Sequence, residues 1–439
     1  MHDTLSPPER PRGQSRSRFR KLVDQPEKGW RRPAILFWAL VGPGVLATLA
    51  NNDAGGMISY TITGARFGIG LFIPLTLCLG IATYTTQELV MRLSTVTQTG
   101  LARLIRLHFG PSWLMYHVVS LCLANLLMMV TELIGMTAGL VMLGLPFWVA
   151  TALSLLLSVS IIIFTGYWTK ERIALLIGAV NMVFIVVAVM TRPNPAVIAH
   201  AFVSWNLPAG SGNVFWYVAA LIGNSVAPFA VFFQGSGNVD KGVIDRHIRL
   251  GRIDTLAGCI VETIVAACAI VAGAALYGRI PDLENAGPAV LIAGFLTHAG
   301  RWPGILFGLG IFNAGLLASF TVSLSTSWAV AESFGWARSL DDRISEAPGF
   351  YAIYIGGVVI AALIVLVPNL PLNFMAVVAQ VACGALMAPV LVFLLLLTNK
   401  KKLMGKHANT LAGNIRAGTV TTVLVGIVAL LLWNALTRW

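Results

Sequence analysis

One carboxylate lies where an apolar span should hold none. Asp53 falls inside Asn51-Asn52-Asp53-Ala54-Gly55-Gly56, a polar, glycine-ended interruption between apolar runs at 33–50 and 57–65. Neither run crosses a bilayer core comfortably alone, but together they suffice, since a spanning helix needs about 20 residues. Asp53 is therefore expected near mid-membrane depth, where a charge is costly and marks a functional site by default. Irregular backbone persists at that depth only if it lines a cavity or is buried in protein. A carboxylate beside opened backbone has the chemistry of a cation site. A second reading stands beside it: Asp53 could cap the half-helix that follows, accepting from the amide of Gly55 or Gly56.

A matching interruption comes later, at Gly223-Asn224-Ser225-Val226-Ala227-Pro228, before the apolar run resumes at Phe229–Phe233. Pro228 lacks an N–H and disfavours a helical Ala227, so the helix should open there. Carbonyls freed around Asp53 and Ala227 would then face one another with the carboxylate between them.

The elements that must position these groups are apolar throughout. Of 439 residues 57% are hydrophobic and 11% charged, against roughly 25% charged in soluble domains. The sequence is expected to be an all-α polytopic membrane protein. Eleven spans are expected, at about 34–65, 69–91, 113–144, 147–165, 173–191, 214–235, 255–278, 303–334, 349–368, 372–398 and 415–437, the eighth with a possible earlier start near Pro288. The interrupted spans are the first and the sixth, hence the first members of two five-span halves. Matched breaks in two halves point to a midplane site between inverted repeats. The expected architecture is a 5+5 inverted repeat with discontinuous helices one and six, of the amino-acid/polyamine/organocation transporter type, plus an eleventh helix. In domain terms, a disordered basic tail at 1–32 precedes one transmembrane domain at 33–439, with repeats at 33–195 and 205–399 and a loop and last helix at 400–439.

The net charge of +12 does not indicate nucleic-acid binding, because the basic residues sit in the tail and the connections. Nine lie in the tail and sixteen in the connections on its side, among them Arg92, Lys170, Arg249, Lys400 and Arg416, against five on the other side. The bias places the N-terminus in the cytoplasm of a cell-membrane protein and, after eleven spans, the C-terminus outside. The five cysteines lie in apolar spans without Cys-x-x-Cys spacing and read as small packing residues. No nucleophile–base pair, cofactor motif or metal-ligand cluster in the spans suggests an enzyme, and no cofactor is expected.

In order and spacing, several short motifs resemble the Nramp family of divalent metal transporters across nearly the whole membrane portion. Gly42-Pro43-Gly44-Val45-Leu46-Ala47 leading into Asp53-Ala54-Gly55-Gly56 resembles that family's first helix, whose signature is Asp-Pro-Gly-Asn. Gln87-Glu88-Leu89 with Arg92-Leu93 resembles its second helix and Thr131-Glu132-Leu133-Ile134-Gly135 its third. Val226-Ala227-Pro228-Phe229 stands at its helix-six Met-Pro-His, and Gln380 with the 398–405 end resembles its tenth helix.

The departures set the functional expectation. The methionine that the resemblance places at Ala227 would give a thioether, a soft ligand suited to transition metals, whereas carboxylate, carbonyl and water suit magnesium and manganese. Gly56 replaces the signature asparagine and is expected to open space. The ligand set left is Asp53, backbone oxygens near Ala54 and Ala227, Gln380 and Asn224, with room for water, which fits a largely hydrated Mg²⁺. The family's two helix-six histidine places hold Phe229 and Gln234, and the acidic place three before Glu132 holds Met129. The chain thus resembles the Nramp-related magnesium transporter branch. Uptake of Mg²⁺, and of Mn²⁺, by alternating access without obligatory proton coupling is expected, from a monomer in the lipid bilayer. A proton-coupled Mn²⁺/Fe²⁺ transporter and an organic-solute carrier of the same fold are the alternatives.

The remaining polar residues have blander readings. Glu132 could be a hydrogen-bonded core acid, Glu88 an intrahelical partner of Arg92 or a gate element, and Gln380 a helix–helix bond. Asn51, Asn52 and Asn224 could serve the opened backbone. Glu262 and Glu332 are expected toward the cytoplasmic halves of their spans, in polar networks.

Overall fold

The computed structural model describes residues 41–163, 166–206, 214–280, 288–368 and 372–437. The expected tail at 1–32, and the start of the first span, lie outside the described residues. The described elements are helical. In chain order they are α1 (Pro43–Ala50), α2 (Ala54–Phe67), α3 (Phe72–Thr97), α4 (Leu101–Phe109), α5 (Pro111–Met142), α6 (Phe147–Ile163), α7 (Tyr167–Val180), α8 (Val183–Met190), α9 (Pro195–Ser204), α10 (Val214–Ser225), α11 (Pro228–Lys241), α12 (Ile248–Ala274), α13 (Pro288–His298), α14 (Arg301–Phe334), α15 (Pro348–Val365), α16 (Leu372–Asn399), α17 (Lys401–Met404) and α18 (Leu411–Thr437).

Eight of these stretches are long and apolar enough to cross a membrane, with α7–α8 and α10–α11 each counted as one. The other expected spans fall short for physical reasons. The first is split into α1 and α2, the second carries Gln87, Glu88 and Arg92, and the fourth, α6, has 17 residues.

Both predicted breaks are present and narrower than the sequence suggested. Helix α2 already begins at Ala54, so the first break is Asn51–Asp53, and α10 runs through Ser225, leaving Val226 and Ala227 open before Pro228 starts α11. Three further departures concern connections. The fifth span bends at Asn181–Met182 rather than running straight. The segment near Pro288 is a separate helix, α13, turned away from α14 by Gly300 at φ 108° rather than an extension of it. Two loops contain the unpredicted short helices α4 and α9. Helix α4 is amphipathic, with Leu101, Ala102, Leu104 and Ile105 buried on one face, a 3.6-period stripe too short to span.

Helix α2 and helix α12 approach until their backbones touch. A Cβ on Gly64 would lie 2.0 Å from the Ile270 carbonyl oxygen, and one on Gly273 would lie 2.1 Å from the Thr61 carbonyl oxygen. In lipid, where no hydrophobic force drives helices together, such small-residue contacts supply the packing. They bring the middle of α12 against the first break.

Candidate functional site

The first break is set by its own side chains. Asp53 adopts extended backbone (φ −73°, ψ 168°) and accepts from the Gly56 amide, so it caps α2 while its carbonyl oxygen accepts from the Met57 amide at 2.8 Å. The capping reading of the sequence therefore holds geometrically, and it uses only one of the two carboxylate oxygens. Gln380 on α16 donates Nε2 to both Asp53 oxygens, at 3.2 and 3.5 Å. Glu132 on α5 accepts from the Ala54 amide at 2.8 Å. Asp53, Glu132 and Gln380 are each fully buried.

Two carbonyls at the breaks, those of Asn52 and Ser225, are engaged by side chains, and neither is among the expected ligands near Ala54 and Ala227. Asn181 donates to the Asn52 carbonyl at 3.4 Å, and the Ser225 carbonyl accepts from Asn51 at 3.1 Å and from Thr83 at 2.8 Å. Buried backbone polar groups are almost always paired, and here asparagines and a threonine do the pairing. Asn51 thus serves the opened backbone, as one reading of the sequence held.

Several side-chain oxygens at the breaks stay unpaired. Among the described residues, Asn51 Oδ1, Asn52 Oδ1, Gln380 Oε1 and Glu262 Oε2 are buried without a hydrogen-bond partner. Neither end of the Asn224 carboxamide makes a hydrogen bond of normal geometry, although the Tyr60 hydroxyl lies beside it. Such orphaned groups call for an explanation.

Gly56 does not open a void, as the sequence suggested. Its missing side chain is replaced by Asn224, whose Oδ1 would lie 2.1 Å from a Cβ at that position. The carboxamide absent from position 56 enters the same space from the second broken span.

The remaining predicted residues lie as follows. Ala227 is buried and forms the N-terminal boundary of α11 at φ −85°, ψ 140°. Phe229, two residues on, is also buried. Gln234 donates to Thr255 Oγ1 at 2.7 Å, away from Asp53 and its partners. Glu88 accepts from Arg92 at 3.0 Å, the intrahelical reading, and also pairs with Arg252 at 2.9 Å. Glu332 accepts from Ser236 at 2.8 Å within a polar network. Glu262 departs from its expected depth. It lies mid-way along α12, bonded by Asn51, at the break itself.

Sequence reasoning missed Asn181, Asn313 and Asp254. Asn313 on α14 donates to Asn181 Oδ1 at 2.6 Å, linking the α7–α8 bend to the first break. Asp254 caps a different helix from its own: its carboxylate accepts from the amides of Gly42 at 2.9 Å and Gly44 at 2.8 Å, at the start of α1. Beside it, Lys241 pairs with Glu171 at 2.9 Å and reaches the Val41 carbonyl at 3.3 Å. This cluster holds the free end of α1 to α7, α11 and α12. An isolated Asp seven residues past a basic loop carries no local signal for such a role.

The side chains of Lys241 and Glu171 are 1% and 3% exposed. Glu171→Ala should therefore leave an undercompensated buried ammonium and cost about 3 kcal/mol, the low end for a broken buried pair because Asp254 also lies near Lys241. Thermal melting in detergent checks this, and an unchanged midpoint would contradict it.

Two broken helices meeting around buried polar groups, inside a bundle of apolar spans, define a membrane transporter fold rather than an enzyme. The closeness to solved structures agrees. The Eremococcus coleocola manganese transporter superposes with a TM-score of 0.74 at 18% identity, covering 91% of this chain and 87% of that one. MhsT in complex with L-phenylalanine superposes at 0.56 and 14% identity, covering 90% and 98%. At these identities the likeness shows the fold alone. Residues 44–434 match the Nramp family, described as natural resistance-associated macrophage protein-like, and the chain belongs to that family. Among its relatives, the divalent metal cation transporter MntH of Levilactobacillus brevis is 24% identical over 432 residues, covering 91% of each chain. The MntH of Deinococcus radiodurans is 23% identical over 427 residues, covering 90% of each.

Proposed function

We propose that this Nramp-family transporter carries hard divalent cations, Mg²⁺ and Mn²⁺, into the cell by alternating access, with Asp53 as the fixed charge and without obligatory proton coupling. The observation that carries the reading is the set of orphaned oxygens. Among the described residues, Asn51, Asn52, Asn224, Gln380 and Glu262 present buried acceptor oxygens without a hydrogen-bond partner. A hydrated Mg²⁺ offers only O–H donors on its surface and gives up water reluctantly, so a wall of acceptor oxygens suits it. Gln380 can rotate its carboxamide when a cation replaces its N–H at Asp53, since its oxygen is already unengaged.

The absence of coupling rests on position. Phe229 and Gln234 occupy the helix-six histidine places, and Met129 the acidic place before Glu132. Glu132 is committed to the Ala54 amide rather than to a histidine that could pass a proton onward. The membrane potential supplies drive instead, about 4.6 kcal/mol for a divalent cation at 100 mV inside negative. In this reading the Asp254 and Lys241–Glu171 cluster is the inner gate, on the cytoplasmic side, and opens by releasing α1. The repeats are 33–195 and 205–399, the N-terminus is cytoplasmic, the C-terminus is outside, and the protein acts as a monomer.

Selectivity tests the site. Ala227→Met adds a soft ligand and narrows the space at the second break, so uptake should shift toward Cd²⁺ and Mn²⁺ and away from Mg²⁺, by about 10-fold in the ratio of rates. Competition of Cd²⁺ and Mn²⁺ against Mg²⁺ uptake reads this directly, and unchanged ratios in a folded variant would count against the site.

A further inference from the structure

The first break has two ends, and Asp53 occupies only one. At the other end Asn51 donates Nδ2 to both the Ser225 carbonyl, at 3.1 Å, and Glu262 Oε1, at 3.2 Å. Asn52 donates to the Glu262 backbone carbonyl at 3.3 Å. The orientation of Asn51 follows from this pairing, because turning it over would set its oxygen against a carbonyl and a carboxylate. Its Oδ1 is therefore left bare by geometry, and so is Glu262 Oε2. Tyr60, hydrogen-bonded to Ser225 Oγ at 2.9 Å, adds a hydroxyl to the same wall.

Glu262 is 3% exposed and makes no ion pair among the described residues. Holding Asn51 requires one acceptor oxygen, which a glutamine would supply without the cost of burying an acid. An unpaired carboxylate within a membrane span is a functional group by default.

We propose that Glu262 is a second cation-binding carboxylate of the transport path. With Asn51 Oδ1 it takes a hydrated divalent cation through the ion's waters, at the Asn51 end of the break, one station from Asp53. The proposal rests on the divalent-cation reading and adds to it a residue on α12, outside the two broken spans.

E262Q tests it, because glutamine keeps the acceptor for Asn51 and the volume while removing the charge. Mn²⁺ binding to the purified protein and the concentration dependence of Mn²⁺ uptake in proteoliposomes are the readouts. E262Q should raise both the Kd and the KM about 10-fold or more, with E262D between it and the unaltered protein. Equal Kd and KM in E262Q would reduce Glu262 to a bracket for Asn51 and overturn the proposal. Crystals of the unaltered protein soaked in Mn²⁺ give a check that no variant can spoil. Anomalous density about 4–5 Å from the Glu262 carboxylate, the reach of one bridging water, supports it, and density at Asp53 alone overturns it. If the unaltered protein bound no Mn²⁺ at all, the divalent-cation reading would fail first and take this station with it.

Discussion

Asp53→Ala should reduce divalent-cation uptake by roughly 10²–10³-fold while leaving the protein assembled. At an effective dielectric of about 20, a unit charge pair 4 Å apart gains about 4 kcal/mol, close to three decades in site occupancy. The variant also loses a helix cap, worth about 1 kcal/mol, which the Glu132 bond to the Ala54 amide keeps from spreading along α2. Uptake and melting should therefore separate. Transport falls to background, and the melting temperature falls by a few degrees in the range expected for one cap. Asp53→Asn sharpens the test, since it retains a capping oxygen and removes the charge. Uptake by Asp53→Asn near that of the unaltered protein would remove Asp53 from the ion site and leave it a cap.

Gly56→Asn should be almost as damaging, for a different reason. The new side chain must enter the volume held by Asn224, whose Oδ1, Cγ and Nδ2 would lie 2.1, 2.5 and 2.6 Å from the added Cβ. Overpacking of this kind costs about 1–3 kcal/mol, and moving Asn224 would disturb the second break beside Val226 and Ala227. The double variant Gly56→Asn with Asn224→Ala should recover most of the stability, because it returns one carboxamide to the shared space from the other helix. Melting and Mn²⁺ binding on the two single variants and the double form a cycle. Strict additivity in that cycle would show that the two positions do not share the space.

Much of this arrangement was legible in the residues. Asp53 inside an apolar run, and Pro228 after Gly223-Asn224, disclosed both breaks because charge and a missing N–H are local properties. The limits of the breaks were less legible. Asp53 caps α2 so well that Ala54, Gly55 and Gly56 join the helix, which apolarity alone does not reveal. The occupant of the Gly56 space, the depth of Glu262, and the capping of α1 by Asp254 depend on which helices touch. Asp254 and the amides it receives are 210 and 212 positions apart in the chain. No periodicity encodes such a pairing. The bend at Asn181 was hidden for a similar reason: its amide is engaged by the Asn52 carbonyl and the Asn313 side chain, both distant in sequence.

A hard-cation, uncoupled transporter, as proposed, is separated from its proton-coupled rival by one measurement. Purified protein in proteoliposomes is given Mg²⁺ and then Mn²⁺ outside, under an inside-negative potential, with metal entry and internal pH recorded together. The structure and its chemistry predict entry of both ions with no acidification of the interior. Entry of Mn²⁺ with acidification, and exclusion of Mg²⁺, would contradict the claim and make the protein a proton-coupled transition-metal carrier.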